Sequence, residues 1–302
     1  YYKQAIRLKN NPAAAYSNLL FLESTAKFHP ERYKLSAERF SDAIRRLESH
    51  RFESWMCDMN STRLRIGFVS GDFFSHPVSY FLSSLLCELN SSSISCYAYS
   101  AYGEEDEMTR RLKPFFDGWT QINDRTDKEA AFQIYQDKIH ILIDLSGHTA
   151  RNRLPIFASK PAPVQISWLG YWGSTGLSEI DYVLGDPTVT PMSESDHFTE
   201  KIWQLPESYF CFTPPDSKID VGPLPALANG YLTFGDFNKL NRMTEEVISV
   251  RAEILHSVPN SKLFLKNKSL GFIEEKSRVI KRFGEHGICP ERLMMEGQTS
   301  RE

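Results

Sequence analysis

The chain has 302 residues, 41% of them hydrophobic, 24% charged and 13% aromatic, with a formal net charge of −3. That length fits about two globular domains, and the charge leaves no basic field to attract nucleic acid. No apolar run reaches the ~18–20 residues that cross a bilayer, so no membrane partner is expected, and no charged-then-apolar leader pattern is visible. Five cysteines, Cys57, Cys87, Cys96, Cys211 and Cys289, form no C-x-x-C pair. They read as free thiols of a reducing, cytoplasmic compartment rather than a disulfide framework or zinc site.

In chain order, residues 1–60 read as helical. Ala5, Ile6 and Leu8, then Tyr16, Leu19 and Leu20, recur at helix spacing around an Asn-Pro break. "YYKQAIRLKNNPAAAYSNL" reads either as the end of one tetratricopeptide repeat entering the next or as a generic helical hairpin. From residue 63 strand-length apolar runs ("LRIGFVS", "ISCYAYS", "HILIDLSG", "VQISWLG", "DYVLG", "KIWQL") alternate with helical segments. This predicts an α/β lobe over 61–222, a parallel sheet with helices on both faces. After the Pro/Gly-containing loop "TPPDSKIDVGPLPALANG", a second α/β unit is expected over 223–302, with strands in "YLTFGDF", "KLFLKN" and "RLMME". The start at Tyr1 and the finish at "EGQTSRE" read as cuts from a longer protein, and the second sheet as incomplete.

Ligands of parallel sheets bind beyond the carboxyl ends of the strands, and four segments fall there. In "GDFFSHPVSY", Pro77 biases His76 toward an extended backbone and aims an imidazole able to accept a proton near neutral pH. In "DLSGHTARNRL", Asp144 accepts hydrogen bonds at a strand end, and His148 and Thr149 add a donor and acceptor pair. An ordinary βα turn with an N-cap explains the same residues. "WLGYWGSTG", residues 168–176, holds Gly170, Tyr171, Ser174 and Thr175 in a loop that needs unusual backbone geometry or close ligand approach. In "FGDFNKLNRMT", Asn238, Lys239 and Arg242 precede a helix capped by Thr244, which suits a diphosphate or a solvated basic turn. No G-x-G-x-x-G follows the first strand, and neither a P-loop nor a metal-holding D-x-D pair occurs.

Taken together, "LRIGFVSGDFFSHPVS", "IHILIDLSGHT", "KPAPVQISWLGYWGSTGLSEIDYVLGD" and "FNKLNRMTEEVISV" resemble, in order, the O-GlcNAc transferase family, protein glycosyltransferases with an N-terminal tetratricopeptide superhelix. The "GHT" form is similar to the bacterial branch. The resemblance implies a two-Rossmann (GT-B) architecture and metal-independent, inverting transfer of GlcNAc from UDP-GlcNAc to serine or threonine hydroxyls of proteins. It places His76 at the reacting centre, as base or sugar-pocket residue. Asp144, His148, Thr149, Gly170, Tyr171, Ser174 and Thr175 fall to the sugar or acceptor pocket, and Asn238, Lys239 and Arg242 to the donor diphosphate. Arg242 stands where the family has lysine, and Trp172 where it often has proline. Another UDP-sugar such as UDP-glucose, an asparagine acceptor, or a repeat-based binding scaffold with a degenerate transferase lobe are the alternative readings. With the later donor-binding strands lying beyond Glu302, little activity is expected of these residues alone.

Overall fold

The computed structural model describes residues 13–25, 29–47, 50–90, 93–214 and 220–299, together with Tyr2, Gln4 and Ile6. Most of the expected first helix and residues 215–219 of the expected linker lie outside the described residues. The chain divides into two compact units, 1–215 and 216–302.

The first unit is built on a seven-stranded parallel sheet. Its strands are β1 (Leu64–Ser70), β2 (Ile94–Ser100), β3 (Gly118–Gln121), β4 (Ile141–Asp144), β5 (Val164–Ser167), β6 (Tyr182–Gly185) and β7 (Lys201–Gln204). They lie in the order β3-β2-β1-β4-β5-β6-β7. The order reverses between β1 and β4, which pair in the register Ile66 to Ile141 and Val69 to Asp144. Such a reversal opens a crevice at the strands' carboxyl ends, because the loops on either side leave toward opposite faces.

Successive side chains of a strand point to opposite faces, so the sheet divides its apolar residues between two cores. Phe68 joins the core under helix α3 (Pro77–Asn90), with Leu82 and Leu86. Val69 joins the opposite core, with Tyr99 and Leu142. Helices α1 (Ala13–Thr25) and α2 (Pro30–Leu47) belong to that second core. Tyr33, Ala37, Phe40 and Ile44 form a buried stripe at helical spacing along α2. Each large side chain fully withdrawn from water contributes about 1.5–3 kcal/mol. The helical segment therefore shares a core with the sheet. Helices α4 (Glu107–Leu112) and α5 (Asp127–Gln136) open with reciprocal capping boxes at Asp106 and Thr126, and α6 (Leu154–Ala158) with Pro155 in its first turn.

The second unit carries α7 (Pro225–Asn229) and a three-stranded parallel sheet ordered β10-β9-β8. Its strands are β8 (Thr233–Asp236), β9 (Lys262–Lys266) and β10 (Leu293–Glu296), connected by α8 (Glu245–Ser257) and α9 (Ile273–Gly284). Ile248, Ala252 and Leu255 of α8 meet Val279 and Phe283 of α9 over Leu263 and Leu265. The expected α/β class, with parallel sheets covered by helices, is the observed one.

Candidate active site

At the end of β1 the residues 71–76 turn into α3, and hydrogen bonds fix nearly every step. Asp72 N donates to Ser70 Oγ at 3.0 Å, and Ser79 Oγ donates to Asp72 O at 2.7 Å. Thr109 Oγ1 donates to Phe73 O at 2.7 Å, and Ser75 N to Asp106 Oδ2 at 2.6 Å. His76 O receives Ser79 N at 3.0 Å, so the histidine stands at the mouth of α3 with Pro77 at its first position. Its side chain is 38% exposed, and its ring centroid lies 5.5 Å from that of Phe74.

Nδ1 of His76 is 3.7 Å from Oδ2 of Asp72, a residue buried at 6% exposure. Burial raises the Asp72 carboxyl above its ordinary range, while His76 and Arg151 pull it down. Arg151 comes from the loop after β4, and its guanidinium lies over the rings of Tyr102 and Phe74, 4.8 and 5.5 Å from their centroids. A Cβ on Gly71 would stand 2.6 Å from that of Arg151, so only glycine lets the β1 and β4 loops approach this closely. The β1/β4 switch point thus gathers His76, Asp72 and Arg151 at one corner.

Asp144, at the end of β4, is fully buried. Burial pushes its carboxyl up to about 6, against the pull of bonds from Ser146 N (3.1 Å), Gly147 N (2.8 Å) and Ser167 Oγ (3.2 Å). It shapes the turn, and Thr149 closes that turn by donating from Oγ1 to Ser146 O at 2.7 Å.

His148 points away from this corner into the core shared with α1 and α2. Nε2 faces the carbonyl of Thr175 at 2.9 Å and therefore carries the proton; Nδ1 accepts from Ser17 Oγ at 3.0 Å. Rings of Phe40 and Tyr171 meet it edge-on, and burial lowers its pKa to about 3. Both nitrogens are spent on protein partners.

The 168–176 loop is braced by the same helices. A Cβ on Gly170 would fall 1.8 Å from Leu145 O, which fixes glycine there. Tyr171 Oη pairs with Tyr33 Oη at 2.8 Å, and Tyr33 Oη donates to Ser174 O at 2.7 Å. Ser174 Oγ donates to Glu200 Oε2 at 2.7 Å, while Thr175 gives Glu200 Oε1 both its amide, at 2.7 Å, and its hydroxyl. Tyr171, Ser174 and Thr175 are all buried. Of the expected pocket residues, Asp144 and Thr149 lie in the turn beneath the corner. His148, Tyr171, Ser174 and Thr175 join sheet to helices.

In the second unit, Asn238 follows β8, and both its backbone amide and its Nδ2 donate to Asp236 Oδ1 at 2.9 Å. Arg251 of α8 holds the other Asp236 oxygen at 2.5 Å. Together with Asn238 these bonds hold the Asp236 carboxyl below its ordinary range despite the opposing effect of burial. Lys239 and Arg242 are exposed around a 3-10 turn ahead of Thr244, which caps α8 through Val247 N. Glu245 and Glu246 fill the first turn of α8, where their charge complements the helix dipole.

Two parallel α/β units in tandem, with chemistry-bearing loops at the carboxyl ends of their strands, define the two-Rossmann GT-B-like fold. The chain belongs to glycosyl transferase family 41, whose model matches residues 32–213. Over 247 residues it is 38% identical to a Petunia hybrida protein named probable UDP-N-acetylglucosamine–peptide N-acetylglucosaminyltransferase SPINDLY, covering 80% of this chain and 26% of that protein. It is 36% identical over 155 residues to the UDP-N-acetylglucosamine–peptide N-acetylglucosaminyltransferase of Caenorhabditis elegans, covering 50% of this chain and 13% of that one. A solved O-GlcNAc transferase variant from Thermobaculum terrenum superposes with a TM-score of 0.87 at 30% identity, covering 99% of this chain and 57% of that one. The chain spans about a quarter of the length of the first of these curated relatives. The resemblance read from the four motifs is borne out.

Proposed function

We infer that this chain carries the acceptor-side lobe, and the opening of the donor-side lobe, of a protein glycosyltransferase. The proposed reaction moves GlcNAc from UDP-GlcNAc to a serine or threonine hydroxyl of a protein, with inversion and without a metal. The carrying observation is the corner at the β1/β4 switch point, where a partly exposed His76 stands over a buried carboxylate. The relatives' names support the donor and the acceptor class. In this scheme the acceptor oxygen bonds to the anomeric carbon as the bond from that carbon to the diphosphate breaks. The electron pair leaves with UDP, and His76 takes the hydroxyl proton. Charge developing on the diphosphate is met by Lys239 and Arg242, which neutralise it without a bound cation. Asn238, tied to Asp236, holds that loop in place. Five free thiols suit a reducing, cytoplasmic setting, and among the described residues no helix is long and apolar enough to cross a membrane.

The test is nucleotide release by the purified full-length protein from a panel of UDP- and GDP-linked sugars, with and without serine- and threonine-rich peptides. UDP-GlcNAc is expected to be turned over fastest, with peptide acceleration and with EDTA making no difference. Turnover of a different sugar nucleotide alone would replace the donor assignment. Binding of peptides with no turnover of any donor would leave the repeat-based scaffold as the better reading.

A further inference from the structure

Three aspartates stand at strand ends on the same edge of the first sheet, and they are used differently. Asp144, ending β4, takes the amides of Ser146 and Gly147. Asp186, just past β6, takes those of Thr188, Val189 and Tyr209. Both are spent on shaping their own turns. Among the described residues, no backbone amide donates to the Asp72 carboxylate. Its side chain is 92% buried (8% exposed), and the group it faces is the imidazole of His76, one helical turn ahead. The backbone of Asp72 is held at both ends, by Ser70 Oγ and Ser79 Oγ, which fixes the point from which its side chain sets out. A buried carboxylate without amide donors is costly unless a cationic or N–H partner offsets it.

We propose that Asp72 is a positioning residue for His76, drawing the imidazole proton to Nδ1 so that Nε2 is the basic nitrogen; this rests on His76 acting in the transfer reaction inferred above. Nδ1 lies between two competing neighbours. In the geometry shown Val78 N donates to it at 3.4 Å, whereas Asp72 Oδ2, 3.7 Å away, stands just outside hydrogen-bond reach and would accept from it after a small rotation of the ring. That rotation exchanges a long neutral amide bond for one to an ionised carboxylate, and charge-assisted hydrogen bonds are roughly twice as strong as neutral ones. During transfer the acceptor's proton goes to Nε2, and the resulting imidazolium donates from Nδ1 to Asp72. The new C–O bond forms as the bond to the diphosphate breaks, with its electron pair on UDP. Burial disfavours the ionised form of the carboxylate, and the charges of His76 and Arg151 both work against that effect. The other groups around the corner are Asp106, bonded to Ser75 N, Tyr80, bonded to Ser75 Oγ, and Tyr102, under Arg151.

The test reads the imidazole directly, by 15N NMR of the protein with labelled histidine. Wild-type His76, when neutral, is expected as the Nδ1–H tautomer. Asp72→Asn is expected to lower its pKa by about one unit, since an opposite charge within a few ångströms shifts a pKa by one to three. Wild-type His76 found as the Nε2–H tautomer overturns the proposal without any variant, as does an unchanged pKa in a folded Asp72→Asn protein. In the active enzyme, Asp72→Asn should lower kcat by about 10- to 100-fold at little change in donor KM. The acid limb of its pH profile should move to lower pH, and Asp72→Glu should recover part of the rate. In a His76→Ala background, Asp72→Asn should cost nothing further; an equal additional loss there means a merely structural role and overturns the proposal. A fully active His76→Ala enzyme would instead remove the transfer reading's base, while the NMR result would still decide whether Asp72 sets the tautomer.

Discussion

His76 and His148 sit in nearly equivalent sequence contexts, each a few residues past an apolar strand in a loop with small polar neighbours. The fold separates them completely. One caps the entrance of a helix at the sheet edge; the other is sealed among Phe40, Tyr171 and Ser17. That difference was not legible locally, because what buries His148 comes from residues more than a hundred positions earlier. It has a measurable sign. Folded His148 binds a proton only near pH 3, whereas an unfolded histidine does so near 6.5, so between those values the unfolded state holds more protons. The stability that neutral His148 contributes is therefore complete above pH 6.5 and is lost as pH falls toward 3, by up to about 1.4 kcal/mol per pH unit. Asp144 runs the other way, its folded pKa of about 6 favouring the folded state as pH drops from 6 toward 4. Comparing wild type with His148→Gln cancels that opposing contribution. Urea unfolding at pH 7, 5 and 4 is expected to show the wild type losing ground to the variant as pH falls. Parallel behaviour would mean that the folded ring does take up a proton.

At the scale of elements, the strands and helices were readable where their patterns were strong. The strands β1, β2 and β4 follow from apolar runs of strand length, and the apolar stripe of α2 from period-3.6 spacing. Strand β3 was not readable, because "GWTQ" is a short edge strand whose four residues are all half-buried. Nor was the docking of α2 on the 168–176 loop visible, since Tyr33, Ser174 and Glu200 are distant in sequence and share no motif. The glycine-rich loop suggested either unusual geometry or a ligand, and for much of it geometry is the answer. Gly170 fits against Leu145 O, and Thr175 against Glu200. Tyr33→Phe removes one hydroxyl that serves both Tyr171 and Ser174, leaving buried polar atoms short of a partner. A loss of about 1–3 kcal/mol in urea unfolding is expected, with secondary structure intact. An unfolding curve that overlays the wild type would show that the loop is held by packing alone.

Across the whole molecule, the alternation of strands and helices gave the α/β class because a parallel sheet requires a crossover between neighbouring strands. It could not give strand order, and strand order is what brings the "SHP" and "SGHTAR" loops to either side of one crevice. Family membership follows from the ordered motifs and from the match over residues 32–213. Asn238, Lys239 and Arg242, proposed for the donor diphosphate, belong to the second unit, and their motif is formed within its own β8–α8 turn. The central claim is that the β1/β4 corner is the reacting centre of a sugar transferase, and it is tested most directly by steady-state kinetics of His76→Ala. A fall in kcat of about 100-fold or more is expected, the range general-base residues supply, with donor KM close to wild type and an unchanged melting temperature. A folded His76→Ala protein that transfers sugar at the wild-type rate would contradict it.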